Sequence, residues 1–133
     1  MKTALIGLGM VSQTYGYALR NAPHISLETV YARSPESREA FLNNWPDLEA
    51  KPAESVTEIA GSDVDFVIIT TPPNARAEIV EELAKAGKPI LMEKPVERSS
   101  ENASALVEVC EKAEVPLGIV LQHRARPVVK DLR

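Results

Sequence analysis

Short apolar runs alternate along the chain with longer stretches in which apolar residues return every three or four positions. This alternation is the sign of parallel strands joined by crossover helices. Residues 3–6 predict a first strand closed by Gly7 and Gly9, after which Val11, Tyr15, Ala18, Leu19 and Ala22 recur at helical spacing as far as Pro23. Residues 27–32 predict a second strand, and Ser34 with Pro35 supplies a cap and first-turn pair for a helix running through Ala40 and Phe41 to Trp45 and Pro46. Residues 47–52 are rich in proline and charge, with room for a short third strand but no pattern that declares it. Ser55 and Glu58 have the spacing of a capping box, and Gly61 is the expected left-handed end of the short helix that follows.

Residues 65–70 carry four consecutive apolar side chains, Phe66, Val67, Ile68 and Ile69, without polar alternation, which predicts a central strand buried on both faces. Pro72 and Pro73 stop it. Ala75, Ile79, Leu83 and Ala86 then mark one face of a helix that Gly87 ends. Residues 89–92 predict the next strand. Ser99 or Ser100 caps a helix expected to turn Ala103, Leu106, Val107, Cys110 and Ala113 inward, and residues 117–121 predict a sixth strand. Residues 127–133 read as the opening of a further helix. The expected class is α/β: a doubly wound, mainly parallel sheet with helices on both faces.

Composition narrows the functions available. A chain of 133 residues is the size of one domain, and its 44% hydrophobic and 26% charged residues suit a packed core rather than disorder. Nineteen acidic against fifteen basic side chains, with no basic block, disfavour a nucleic-acid surface. A lone cysteine, Cys110, cannot form an internal disulfide and fits a reducing compartment, so a cytoplasmic location is expected. No apolar run approaches the roughly 20 residues of a membrane helix, and the N-terminus lacks a signal-peptide layout. His24 and His123 lie far apart with no carboxylates at metal-binding spacing, so no metal is expected. Cys110 shares an apolar helix face and is expected to be an inert buried thiol.

The chemistry concentrates at the strand ends. Gly7, Gly9 and Ser12 form G-x-G-x-x-S between the first strand and the first helix, where a dinucleotide fold needs a tight turn, a close backbone approach to pyrophosphate and a small packing residue. Met10 and Val11 open that helix, so free N–H groups and the helix dipole would hold phosphate there without a basic side chain. About twenty residues on, a domain preferring NAD usually places an acid on the ribose hydroxyls. Here the second strand ends in Tyr31, Ala32, Arg33 and Ser34. Arginine beside a helix N-terminus suits a 2′-phosphate, with Ser34 as partner and Arg38 as a second charge, so NADP is favoured over NAD. The acid-free end of the second strand also argues against a methyltransferase with a glycine-rich first loop.

With Thr70, Thr71, Pro72, Pro73 and Asn74 after the fourth strand, Glu93, Lys94 and Pro95 after the fifth, and Gln122, Arg124 and Pro127 late in the chain, the sequence resembles the N-terminal domain of the Gfo/Idh/MocA oxidoreductase family over essentially its full length. That resemblance implies a Rossmann domain over residues 1–122. Residues 123–133 would begin a linker to a second, substrate-binding domain that these 133 residues do not contain. It implies that Thr70, Thr71, Pro72 and Asn74 line the cofactor, that Glu93 and Lys94 lie near the nicotinamide, and that Lys94 is the catalytic group which protonates or polarises the reacting oxygen. Gln122 and Arg124 are implied as further nicotinamide or substrate contacts in a whole enzyme. Arg76 stands where many members carry histidine, so no role is implied for it. The implied activity is hydride transfer between NAD(P) and a sugar, polyol or related small substrate. The alternative is a non-catalytic dinucleotide sensor on the same fold, and exposed sheet surface would allow a homo-oligomer.

Overall fold

The computed structural model describes residues 1–131; positions 132 and 133 of the expected linker lie outside them. Six parallel strands form one sheet in the order β3-β2-β1-β4-β5-β6, where β1 is Lys2–Ile6, β2 Ser26–Tyr31, β3 Lys51–Pro52, β4 Phe66–Ile69, β5 Ile90–Glu93 and β6 Leu117–Val120. Helices α1 (Ser12–Arg20), α2 (Pro35–Asn44), α3 (Val56–Ala60), α4 (Ala77–Lys85) and α5 (Ser100–Lys112) supply the crossovers, and α6 (Pro127–Asp131) follows β6 where the sequence predicts a further helix.

The two faces of the sheet divide the core by alternation along the strands. Leu5 and Ile68 point to the side packed by Leu19 of α1 and Phe41 of α2. Ala4, Ile6, Val67 and Ile69 point to the other, against Ile59 of α3, Val80 and Leu83 of α4, and Leu106 and Cys110 of α5. Because β1 and β4 are buried on both sides, their apolar runs need no polar alternation. The inferred third strand exists but has only two residues, Lys51 and Pro52, pairing with Thr29 and Val30.

Three local expectations are corrected. On α1 the buried positions are Ser12, Gly16 and Leu19, while Val11 is 46% exposed and Ala18 faces solvent. The helix lies close to the Trp45 indole, so its contact face is built from small residues rather than from the most apolar ones; a Cβ on Gly16 would stand 2.3 Å from Trp45 Cε2. On α5, Val107 is 39% exposed and Val109 packs inward instead. Gly61 is right-handed, with φ −83°, because α3 ends in a tightened turn in which the Ser62 N–H donates to the Ile59 carbonyl. Gly87 does close α4 with φ 71°. Ser34, Ser55 and Ser99 cap α2, α3 and α5, accepting from the backbone N–H groups of Ser37, Glu58 and Asn102.

Candidate functional site: a crevice at the carboxyl ends of β1 and β4

Strand order reverses between β1 and β4, so the connections leaving their carboxyl ends run to opposite faces and part the chain there. The resulting crevice of about 960 Å³ reaches from Tyr31 and Arg33 on one side to Glu93 and Lys94 on the other. Gly7 makes its floor possible. With φ 95° it sits in a conformation that side chains avoid, and a Cβ there would lie 2.6 Å from the Thr71 backbone nitrogen. Its N–H donates to the Tyr31 carbonyl at 2.8 Å, tying the ends of β1 and β2 together.

Gly9 has open space where a side chain would be, with nothing within 4 Å of an added Cβ. The first helical turn of α1 begins with bonds from Ser12 to Gly9, Gln13 to Met10 and Thr14 to Val11, so the N–H groups of Met10 and Val11 precede the helical ladder. No side chain caps α1 and no acid occupies its first turn, which leaves the positive end of the helix dipole facing the crevice. Ser12 is fully buried and donates its hydroxyl to the Gly9 carbonyl at 2.6 Å, fixing the turn from below. These features fit a diphosphate.

Across the crevice, Thr70 donates its hydroxyl to the Gly7 carbonyl at 2.5 Å. Thr71 Oγ1 is buried with no hydrogen-bond partner among the described residues, while Pro72 and Asn74 stand exposed on the rim. At the far end the Glu93 carboxylate accepts from the Tyr15 hydroxyl at 2.8 Å and from the Lys94 N–H at 3.1 Å, while the Lys94 side chain is exposed. Burial, followed by the bond to Glu93, pushes the Tyr15 hydroxyl well above the ordinary phenol range.

The end of β2 keeps Arg33 and Ser34 on the crevice wall, both exposed. Ser34 also donates to Glu36 at 2.7 Å, and that bond holds the Glu36 carboxyl below its usual range. Arg38 follows one turn later, its N–H donating to the Ser34 carbonyl at 3.3 Å, but it is not part of the crevice wall. It is only 8% exposed, and its Nη1 donates to the Ala53 carbonyl at 2.6 Å and pairs with Glu54 at 3.0 Å, so its charge secures the chain after β3. Gln122 opens the exposed turn after β6 and is not part of the crevice wall.

Arg76, to which the sequence assigned nothing, is 2% exposed and sits beneath the site. Its Nε and Nη2 donate to the Thr71 carbonyl at 3.0 and 2.7 Å, and its Nη1 donates to the Glu93 carbonyl at 2.6 Å and also to that of Pro95. One guanidinium thus links the exits of β4 and β5. Burial pulls its pKa down and Glu93 opposes that pull. The sequence signal was an arginine two residues after Asn74 at the start of an amphipathic helix, which pattern alone cannot distinguish from a solvated charge.

Among the described residues no helix is long and apolar enough to cross a membrane. Residues 1–120 match the oxidoreductase family defined by the NAD-binding Rossmann fold of Gfo/Idh/MocA proteins. The chain is 26% identical over 127 residues to an inositol 2-dehydrogenase of Rhizobium meliloti strain 1021, covering 96% of this chain and 38% of that protein. To the rhizopine catabolism protein MocA of Rhizobium meliloti it is 30% identical over 133 residues, covering 99% and 41%. The WlbA dehydrogenase of Chromobacterium violaceum, solved with NADH and UDP-GlcNAcA, superposes with a TM-score of 0.89 at 27% identity, covering 99% of this chain and 38% of that one. The chain therefore spans about two-fifths of the length of such relatives. Strand order, a glycine-lined α1 entry and a family match over residues 1–120 converge on one assignment: the chain belongs to the Gfo/Idh/MocA oxidoreductases and forms their NAD(P)-binding Rossmann domain.

Proposed function

We propose that this domain serves a dehydrogenase that moves hydride between a nicotinamide dinucleotide and a carbinol or carbonyl carbon of a small polyhydroxylated substrate, with NADP(H) as the preferred cofactor. The observation that carries the reading is a single crevice with an uncapped helix N-terminus at its centre, a guanidinium at one end and a lysine at the other. The N–H groups of Met10 and Val11 receive the diphosphate, and the openness at Gly9 allows its approach. The end of β2 puts the exposed Arg33 on the crevice wall, and the Glu36 carboxylate, held by the Ser34 hydroxyl, is not part of that wall, which suits a phosphate on the adenosine ribose better than free hydroxyls. Thr70, Thr71, Pro72 and Asn74 line the middle of the dinucleotide, and the Thr71 hydroxyl, unpartnered among the described residues, is a polar group there for it to engage.

The dinucleotide supplies or takes the hydride. Lys94, exposed on the rim above a turn fixed through Glu93, donates a proton to the substrate oxygen in reduction and receives it in oxidation. Sugar- and polyol-directed relatives such as the inositol 2-dehydrogenase support the substrate class.

The test is a fluorescence titration of the chain with NADPH and NADH. The parent should bind NADPH more tightly, and Arg33→Ala should weaken NADPH about ten- to a hundredfold while leaving NADH within about twofold. Equal affinity of the parent for both cofactors would remove the NADP assignment, and binding of neither would remove the cofactor reading.

A further inference from the structure

Lys94 is exposed, yet the turn that carries it is held from two sides. From beneath, Arg76 takes the Glu93 and Pro95 carbonyls, the main chain immediately before and after Lys94. From the opposite face of the sheet comes Tyr15, on α1, one helical turn beyond Val11. Its hydroxyl reaches 78 positions along the sequence to Glu93 Oε1, while the other carboxylate oxygen accepts the Lys94 N–H. We infer that Tyr15 is a positioning residue: it joins the helix whose N-terminus faces the diphosphate site to the turn that presents Lys94.

The inference rests on the cofactor reading above. Its physical content is an alignment between two halves of one ligand. A dinucleotide seated on α1 places its far end by the geometry of that helix, whereas Lys94 is placed by β5. Nothing in the β1-β4-β5 ladder fixes a side chain at the end of β5 relative to α1, because the ladder fixes only backbone register. The Tyr15–Glu93 bond does so directly. Phenol is suited to the task, since its half-buried ring packs against the core cluster that holds Leu5, Leu19 and Phe41 while its one donor reaches out of that core to a carboxylate. Burial and the bond itself keep the phenol protonated, so the donor persists across the working pH range. Without the hydroxyl, Glu93 Oε1 loses its partner, the carboxylate is free to rotate, and the Lys94 N–H loses a fixed acceptor.

Tyr15→Phe removes the bond and keeps the ring. Two ligands report on it: NADPH, and 2′-phospho-ADP-ribose, which keeps both phosphate sites but lacks nicotinamide. The expected result is an affinity for 2′-phospho-ADP-ribose within about twofold of the parent, NADPH weakened about tenfold, and amide exchange at Lys94 about tenfold faster in the ligand-free chain. In a Glu93→Ala background the same Tyr15→Phe change should add nothing to Lys94 exchange, which separates a bond to Glu93 from a general loosening of α1. Equal weakening of both ligands, or unchanged exchange at Lys94, would overturn the inference. Should the parent bind neither ligand, the cofactor reading falls on its own, and Lys94 exchange in the ligand-free chain still decides whether Tyr15 holds the turn.

Discussion

Replacing Gly9 by alanine separates what the first turn needs in order to fold from what it needs in order to bind. An added Cβ at Gly9 meets nothing within 4 Å, and the residue does not occupy the left-handed region, so the folded state accepts the methyl group without strain. The unfolded chain loses some freedom, which by itself favours the folded state by ~0.4–1 kcal/mol. Thermal unfolding should therefore stay level or rise by about 4 °C at most. Binding should respond in the opposite sense. The methyl group projects into the space through which a diphosphate would reach the N–H groups of Met10 and Val11, and one charge-assisted hydrogen bond lost there costs about 2 kcal/mol, or about thirtyfold in NADPH affinity. Gly7→Ala is the contrasting control. Its φ of 95° and the 2.6 Å approach to Thr71 N combine backbone strain with overpacking, so it should destabilise the domain by ~2–4 kcal/mol and weaken the cofactor as well. Melting curves and NADPH titrations on the three proteins check both arms. A Gly9→Ala protein that binds NADPH within twofold of the parent would refute the placement of the diphosphate, and one that melts far below it would refute the openness of that site.

Gly16→Ala should destabilise by ~2 kcal/mol despite the better helix propensity of alanine, because the Trp45 ring it would strike is fixed by Gln13 at 2.9 Å and by Arg20 stacked 4.6 Å from its centroid; a blue-to-red shift of the single tryptophan's emission reports the displaced ring. Arg76→Met leaves the Thr71, Glu93 and Pro95 carbonyls without their donor and should lower the stability measured by urea unfolding by ~2–4 kcal/mol, with Arg76→Lys recovering less than half because a single ammonium cannot span the exits of both strands. Burial pushes the Cys110 thiol up, so it should resist thiol reagents in the native chain at neutral pH. As pH rises through the ordinary thiol range the unfolded chain ionises first, so this contribution to stability is present below that range and is lost above it; a Cys110→Ala chain should show a flatter decline between pH 7 and about 10 in urea melts.

What could be read from the sequence was whatever its physics keeps local. The Gly7–Ser12 turn declares itself because a tight bend, an open backbone and a small packing residue are demanded within six consecutive positions. The β4 run of Phe66 to Ile69 declares itself because burial on both faces leaves no place for polar residues. Partners far apart in sequence were not legible. The α1 face was read from apolarity, but it is set by an indole 29 positions beyond Gly16, which demands small residues. Arg76 is indistinguishable in pattern from a surface charge until β4 and β5 bring the carbonyls of Thr71, Glu93, Pro95 and Val96 around it.

Arg38 is the most consequential of these cases, because its position sharpens the cofactor test. Two arginines sharing a 2′-phosphate would each carry part of the preference for NADPH, and removing one would leave the rest. The structure commits Arg38 to the Ala53 carbonyl and Glu54 with little exposure, and leaves Arg33 alone on the crevice wall at the end of β2. If phosphate recognition depends on that one guanidinium, Arg33→Ala should bring the ratio of NADPH to NADH affinity close to one. Arg38→Ala should lower stability through the unsatisfied Ala53 carbonyl and leave the ratio untouched. A preference for NADPH of about tenfold surviving in Arg33→Ala and vanishing only in the double variant would mean that Arg38 leaves Ala53 when the cofactor arrives, and the burial seen here would then describe the ligand-free state alone.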